Sequence, residues 1–222
     1  MGMLSRISAL FGRSDEDALS VPPMDGVFKP NALLDAAEHV LDLPAIDNLA
    51  VSADGGLHCS SGNALFRIDL QGRTPHLIRA FDDPIRMIAT RPSGGFAIAA
   101  EGMGLAIMDE AGGFHLVDLP TDQSACITAG VFEDDDTLLL AVGSRQHSMS
   151  DWKRDLMSHG TSGLVIRHTI TTGRTEILES SLAFPYGLAR LADGAIAATM
   201  SRSPSMSSKA WAITGRAASA AR

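Results

Sequence analysis

The stretch from Asp151 to Gly187 decides the fold, and it reads DWKRDLMSHGTSGLVIRHTITTGRTEILESSLAFPYG. Its polar beginning predicts a short helix, and the two apolar runs that follow predict strands on either side of a polar turn around Gly173. Two strands joined by such a turn form a β-hairpin, here over 164–178. The apolar Leu-Ala-Phe-Pro-Tyr-Gly string then leads into a third strand.

The same hairpin recurs earlier in the chain, over 65–78 and 105–119, each time after an inner strand, a tight turn and a second strand. The turns of the four copies lie at Asp54, Ser93, Asp135 and Asp193. The first three are 39 and 42 positions apart; the last interval is 58, or about 41 without an insertion of roughly 17 residues at 144–160. A period near ~40 with four short strands per unit is typical of a β-propeller blade.

We therefore predict an all-β fold, an incomplete β-propeller of about three and a half four-stranded blades out of an expected six. The blades lie near 44–80, 81–119, 120–180 and 182–201, within a propeller region of 44–201. A helical segment and linker (1–43) precede them, with a short helix predicted over 32–40. The Ser-, Ala- and Arg-rich tail (202–222) is predicted to be irregular, and copy four to end after its second strand.

Six closed blades would need roughly 240 residues of repeat, more than this chain carries. We expect a truncated product, or one half of a split protein that needs a complementing C-terminal half. Self-association through an open blade edge is the third expectation, because an unpaired edge invites association.

The charge and composition exclude some classes of partner. The formal net charge of −8 leaves no basic stripe for phosphates, so nucleic acid is not expected as the main partner. No stretch approaches the ~20 apolar residues of a membrane span, and the N-terminus is a poor signal peptide, so a cytoplasmic protein without a transmembrane segment is expected. The two cysteines, Cys59 and Cys126, lie in apolar runs without short spacing and are predicted to be buried free thiols.

Four local strings carry a resemblance to a known family: PPMDG…KPN over 22–31, DNLA with ADG over 47–55, AEGMGL over 100–105, and SGLVI with TG and LAFP over 162–185. Together they resemble the strictosidine-synthase-like family and its relatives, the gluconolactonase and senescence-marker propellers, over about residues 20–200. The resemblance implies a six-bladed propeller with a small-molecule pocket at one mouth of its central channel. It implies hydrolase-type chemistry on a small lactone or ester. Strictosidine condensation itself is not implied, because its acidic residue lies in a later blade.

Residues just before each inner strand ring the channel of a propeller. Aligning the four copies on their turns places Asp47, Arg86, Thr128 and Tyr186 in one column. An acid, a base, a hydroxyl and a phenol predict a polar ring that binds a small molecule. The alternative is an Asp47–Arg86 ion pair that only neutralises charge around a narrow channel.

The resemblance also implies a divalent metal such as calcium, which the family's lactonases hold with an acid at the first position of this column. Here that acid is Asp47. Thr128 and Tyr186 stand where the family carries asparagines, so the chain departs from the family's metal pattern at these two positions.

The insertion over 144–160 supplies further candidates for substrate binding, Arg145, Trp152 and Arg154, and the family carries a comparable helix that covers the pocket. Trp152 and Leu156 share one helical face, so Trp152 either anchors the helix on the sheet or contacts a ligand. Glu101 is the last candidate, either as a turn residue or as a carboxylate at the mouth.

Three functions stay open. The first is a hydrolase acting on a lactone or small ester, with catalytic residues still to be identified. The second is a non-catalytic propeller that binds a small molecule or a protein, and the third is an inactive truncated fragment. A propeller fold alone does not choose between them.

Overall fold

Short strands with tight polar turns build this protein. The computed structural model describes residues 36–201 and 211–213 of a chain that divides into two compact units, 1–39 and 40–222. Every strand among the described residues lies in the second unit: β1 (Ile46–Val51), β2 (Leu57–Ser61), β3 (Ala64–Asp69), β4 (Thr74–Ala80), β5 (Ile85–Thr90), β6 (Phe96–Ala100), β7 (Gly104–Met108), β8 (Phe114–Val117), β9 (Ile127–Phe132), β10 (Thr137–Val142), β11 (Gly163–Thr169), β12 (Arg174–Leu182), β13 (Pro185–Arg190), β14 (Ile196–Met200) and β15 (Trp211–Ile213).

Each sheet is an antiparallel meander in chain order. Three sheets have four strands and the last has three, which gives blade 1 (β1–β4), blade 2 (β5–β8), blade 3 (β9–β12) and blade 4 (β13–β15). The short helix α1 (Thr121–Ser124) precedes β9, and the insertion between β10 and β11 carries a 3₁₀ turn (Met149–Asp151) followed by α2 (Trp152–Met157). The incomplete propeller predicted from the repeat is confirmed.

The turns between the first two strands of the blades are the ones on which the repeat was aligned. In blade 1 the Asp54 carboxylate accepts a hydrogen bond from the Gly56 N–H, and in blade 4 the Asp193 carboxylate accepts one from the Ala195 N–H. Such a local side-chain bond adds to the backbone bonds of the turn and favours Asp at this position. We call this end of the blades the turn end.

The hydrophobic core lies between neighbouring blades. Each blade has two faces. We call the face that contacts the preceding blade the leading face, and the opposite face the trailing face. Ile98 of blade 2 clusters with Leu65 of blade 1, and Leu140 of blade 3 clusters with Ala97 and Ala99 of blade 2. Ala198 of blade 4 clusters with residues of blade 3. At the boundary between blades 2 and 3, leucines of the leading face thus meet the small Ala97 and Ala99 of the trailing face.

The innermost strands β1, β5, β9 and β13 are neighbours in that order, as the inner strands of a propeller are. They begin at the end opposite to the turn end, which we call the mouth. The turns that follow the second strands and the insertion between β10 and β11 also lie there, because antiparallel strands return to the end where their partners began.

Two predictions for the ends of the chain are wrong in the residues that the structure describes. In the helix predicted over 32–40, residues 32–35 lie outside the described residues, whereas 36–40 form a turn and irregular chain. All five are exposed, and so short a segment gains too little from helical hydrogen bonds without a buried face.

The predicted irregular tail contains β15, which pairs with β14 through Ala197–Ala212 and flanking residues. This strand satisfies backbone groups that would otherwise form an open edge of blade 4. Copy four therefore continues beyond its second strand. The rest of 202–222 and most of the predicted N-terminal segment lie outside the described residues.

Within the described ranges, no helix has both the length and the apolar character needed to cross a membrane.

Candidate ligand-binding site at the mouth

Four β-bulges mark the mouth, one at the start of each inner strand. In β1, Ile46 pairs with Ser61 and Asn48 pairs with Ser60, so Asp47 stands outside the register. The same irregularity leaves out the second residue of each other inner strand, and these residues are Arg86, Thr128 and Tyr186. The predicted structural equivalence of the four positions is confirmed. Bulges re-aim side chains and are frequent beside binding sites.

The four side chains have different surroundings. Asp47 and Tyr186 are exposed, Arg86 is half-buried and Thr128 is buried. The Thr128 hydroxyl donates to the Pro185 carbonyl at 2.6 Å and lies 3.2 Å from the Ala141 carbonyl. Its proton therefore links blade 3 to blade 4, and only its oxygen lone pairs are left for a ligand.

Arg86 forms an ion pair with Glu101, not with Asp47. Its Nη2 lies 2.7 Å from Glu101 Oε2 across the top of blade 2. The alternative Asp47–Arg86 pair is therefore wrong, because the turn after β6 brings a nearer carboxylate to the guanidinium. The hydrogen bond from Arg86, with a smaller contribution from Ser150, lowers the pKa of Glu101.

Glu101 also joins the insertion to the blade. Its Oε1 accepts a hydrogen bond from the Ser150 backbone N–H at 3.0 Å. The inner strand of blade 2, the turn after β6 and the insertion of blade 3 thus converge on one carboxylate. Of the two alternatives for Glu101, the structure places it at the mouth.

The other candidates of the insertion are spread out. Arg145 Nε donates to the Ser162 carbonyl at 3.2 Å, and its Nη1 lies 3.8 Å from an Asp122 carboxylate oxygen. Arg154 has a side chain that is 75% exposed and lies 3.6 Å from Asp151. Arg145 thus contacts Ser162 and α1, and Arg154 contacts another residue of the insertion. Neither side chain pairs with Arg86.

The position of Trp152 agrees with both of its predicted roles, anchoring the helix and contacting a ligand. Its ring centroid lies 6.2 Å from that of Phe184, which follows the last strand of blade 3, so it anchors α2. The side chain is nevertheless 39% exposed, and Phe184 is only two residues from the bulge at Tyr186. An aromatic surface thus lies beside the polar ring.

Asp155 is a buried carboxylate that the sequence reasoning missed. It is the only buried residue of α2, and its Oδ1 accepts a hydrogen bond from the Ser144 hydroxyl at 2.8 Å. The Ser144 oxygen lies 3.1 Å from the Ser162 hydroxyl and accepts the backbone N–H groups of Gln146 and His147. This cluster closes the insertion at its base. The faint signal for it was the small polar residues at both ends of the insertion.

Three buried polar atoms at the mouth have no partner in the described part of the chain: Arg86 Nε, Gln123 Oε1 and Asp155 Oδ2. All three residues lie in elements that meet at the mouth, namely the start of β5, helix α1 and the insertion. Buried polar atoms are paired in native proteins, with water or a ligand where the protein provides nothing. Ordered water is the usual partner of such atoms, so we expect water or a ligand at this end.

Cys126 lies next to these elements, with its sulfur 3.9 Å from that of Met149. Burial raises the pKa of its thiol to about 11, and the charges of Asp155 and Glu101 act in the same direction. Both cysteines are free and buried, as predicted. A thiol held in its neutral form is a poor nucleophile, so Cys126 is not a catalytic candidate.

The ring does not fit calcium. A calcium ion takes about 6–8 oxygen ligands, several of them carboxylates. Asp47 is the only carboxylate among the four equivalent residues, and no group of three or more His, Cys, Asp or Glu side chains suited to a metal occurs within the described residues. The metal role implied for Asp47 is therefore not supported by its neighbours.

A cavity of about 620 Å³ lies elsewhere, between blades 1 and 2 at the turn end. Its charged lining is largely satisfied internally: Arg67 Nη2 lies 2.9 Å from Asp54 Oδ2, and the Asp109 carboxylate accepts the Gly113 N–H. His58, which is buried there, bonds the Gly56 carbonyl through Nδ1, and burial lowers its pKa. We favour the mouth as the site because its unpartnered atoms are buried, whereas this cavity is an open groove.

Comparison with known proteins identifies the fold and no more. No protein-family model and no curated protein matches this chain. TolB from Acinetobacter baumannii has a similar structure, with a TM-score of 0.54 and 18% identity over 72% of this chain and 39% of the TolB chain. The extracellular domain of BT4673 from B. thetaiotaomicron has a TM-score of 0.49 and 16% identity over 73% of this chain and 21% of that one.

The chain thus spans about two fifths of the length of the TolB chain. At this identity the likeness supports the β-propeller fold alone. The resemblance to the strictosidine-synthase-like family stays a prediction.

Proposed function

We propose that this protein is a non-catalytic binding propeller whose mouth takes a small molecule through a carbonyl or carboxylate oxygen. One observation carries the proposal. Arg86, in the ring of bulges, uses one terminal nitrogen on Glu101 while its side chain stays 30% exposed. A guanidinium donates in a planar fork, and an oxygen acceptor on the ligand would complete it.

The neighbours of Arg86 suit this role. Glu101 fixes the guanidinium and is itself bonded to Ser150 of the insertion, so ligand contact at Arg86 is linked to the position of the insertion. Trp152 and Tyr186, which are partly exposed, lie in other elements of the mouth and supply apolar area there. Pockets for small molecules combine such apolar walls with a few fixed polar groups.

A lactone or small ester is the ligand class to test first, because it carries the required carbonyl oxygen and is the class that the family resemblance implies. Binding is favoured over hydrolysis for two reasons. Glu101, with its pKa lowered by Arg86, is a weak general base. The ring also lacks the oxygen ligands that a lactonase-type metal needs. Membership of the strictosidine-synthase-like family remains a proposal, without the six blades of a propeller closed within one chain.

The test uses the fluorescence of Trp152 in a Trp211→Phe variant, since the chain has two tryptophans. A panel of lactones, small esters and their hydrolysed acids is titrated, and base uptake at constant pH measures turnover. We expect saturable quenching by some members without turnover. Arg86→Met should weaken binding at least tenfold, whereas the matched Arg154→Met, in an exposed side chain, should not.

Turnover that Arg86→Met abolishes would instead establish the hydrolase. Absence of binding by the whole panel, with circular dichroism showing a folded protein, would contradict the proposed function. If Arg86→Met does not fold, Glu101→Gln, which keeps the volume but weakens the hold on Arg86, gives the same comparison.

A further inference from the structure

The first blade presents an apolar leading face that no other described blade covers. Leu49, Val51 and Leu77 are 68%, 62% and 59% exposed. The strand register places Leu49 beside Cys59, Cys59 beside Phe66, and Phe66 beside Leu77, so that the four strands of blade 1 form one apolar row. Cys59 in this row is only 1% exposed, whereas Leu49 and Leu77 at its two ends are exposed. Exposed apolar residues grouped on one face mark interaction surfaces.

The repeat shows what this face is built to contact. Leu49, Leu57 and Cys59 occupy the register positions that Ile88, Phe96 and Ile98 occupy in blade 2. Those three residues of blade 2 cluster with Leu65 of blade 1. In blade 3 the equivalents of Leu57 and Cys59 are Leu138 and Leu140, which cluster with Ala97 and Ala99 of blade 2. Bulky leading-face residues thus pack on the trailing face of another blade.

Blade 4 has the matching trailing face. Its Ala197 and Thr199 are equivalent to Ala97 and Ala99 of blade 2, the small residues that receive blade 3. Ala189 and Thr199 are exposed, and Ala197 is half-buried. The trailing face of blade 4 therefore carries small and accessible side chains, whereas the trailing faces of blades 1 to 3 are covered by the blades that follow them.

We propose that the leading face of blade 1 packs on the trailing face of blade 4 of a second copy of this chain. The contact repeats the blade-to-blade packing already present three times in each chain. It is head-to-tail, and a second such contact closes the ring. Two copies of the four described blades supply eight, within the range of about 4–8 blades found in closed propellers. The proposal is independent of ligand binding at the mouth.

The test is the mass of the full chain in solution, measured by sedimentation over a range of concentrations. We expect a dimer. Leu49→Asp places a charge on the leading face, and Thr199→Arg places a bulky charge on the trailing face, so each variant alone should be monomeric. Met157→Asp is the matched control, because Met157 lies in the insertion and is 82% exposed. Its mass should equal that of the parent chain.

A mixture of the two monomeric variants separates head-to-tail packing from a symmetric contact. The intact trailing face of Leu49→Asp can still receive the intact leading face of Thr199→Arg, so mixing should restore a dimer with one interface. A dimer that Thr199→Arg leaves intact would overturn the head-to-tail arrangement. A parent chain that stays monomeric, or that forms open assemblies larger than a dimer, would overturn the closed ring.

Circular dichroism and thermal melting check that both variants are folded. If Leu49→Asp does not fold, Leu77→Asp on the outermost strand of the same face takes its place.

Discussion

Met87 of β5 packs over Gly130 of β9 at the boundary between blades 2 and 3. A Cβ on Gly130 would lie 3.0 Å from both the Met87 Cε and its Sδ, and 3.2 Å from a methyl carbon of Leu140. The backbone of Gly130 needs no left-handed conformation. This glycine is therefore present because two side chains occupy its space, not because the chain turns there.

Gly130→Val should destabilise the protein by about 1–3 kcal/mol, the usual cost of overpacking a filled core. Met87→Ala should be destabilising on its own, because Met87 is buried in the same cluster. The double variant should lose less stability than the sum of the two, since the valine fills the space that the methionine leaves. Urea unfolding measures all three, and simple additivity would show that the two residues do not share this space.

Asp155→Ala should destabilise the protein by about 1–3 kcal/mol, because it leaves the buried Ser144 hydroxyl without its acceptor. Asp155→Asn should cost less, since the amide oxygen can replace Oδ1 and the other carboxylate oxygen has no partner to lose among the described residues. The control is Asp151→Ala in an exposed pair with Arg154. Limited proteolysis should cut the insertion faster in Asp155→Ala than in either other variant, and equal cutting would refute the role of the cluster.

Glu101 makes stability depend on pH in a predictable direction. Arg86 lowers the folded-state pKa of Glu101 below its ordinary value of 4.5, so the folded protein holds this proton less tightly than the unfolded chain. Its stabilising contribution is complete above about pH 4.5 and is lost as the pH falls toward the folded-state pKa. Thermal melts at several pH values should show a shallower acid loss for Glu101→Gln than for the parent. Parallel curves would contradict the pairing.

The thiol of Cys126 should react slowly with disulfide reagents in the native protein. With a pKa of about 11 against an ordinary 9.0, its thiolate fraction at neutral pH is roughly 100-fold smaller than that of a free cysteine. In a Cys59→Ser variant, a disulfide reagent should react with the native protein at least that much more slowly than with the denatured one. Rapid reaction of the native protein would mean that the insertion opens readily.

Calcium should leave the melting temperature unchanged. Asp47 has no second carboxylate beside it at the other bulges, so the ion has too few oxygen ligands there. The comparison is the parent chain with added calcium, with magnesium and with chelator. Stabilisation by calcium that Asp47→Asn removes would restore the metal site.

The blades could be predicted because their spacing is set by local chemistry. Asp54 and Asp193 accept backbone N–H groups two residues further on, and backbone hydrogen bonds close the turns at the same place in the other two blades. Counting back from those turns reaches the starts of the inner strands, which is why the equivalence of Asp47 and Tyr186 could be found. No residue pattern in the sequence predicts the bulges at those positions.

The contacts of the site could not be predicted in the same way. Arg86 pairs with Glu101, 15 residues away, across a turn whose direction no local pattern specifies. Asp155 is buried in a helix whose apolar residues Trp152 and Met157 are exposed, although an acidic residue is normally solvated. Strand β15 pairs with β14, which ends 11 residues before β15 begins. Its pairing therefore depends on tertiary structure rather than on its own three residues.

The residues at the four bulges stand outside the register, and evolution or design can exploit that freedom. An aspartate, an arginine, a threonine and a tyrosine occupy the same place without altering the hydrogen bonding on either side. Substitution there re-specifies what the molecule recognises while the framework is untouched. Randomising the two exposed positions, 47 and 186, would yield a repertoire of new specificities on one unchanged scaffold.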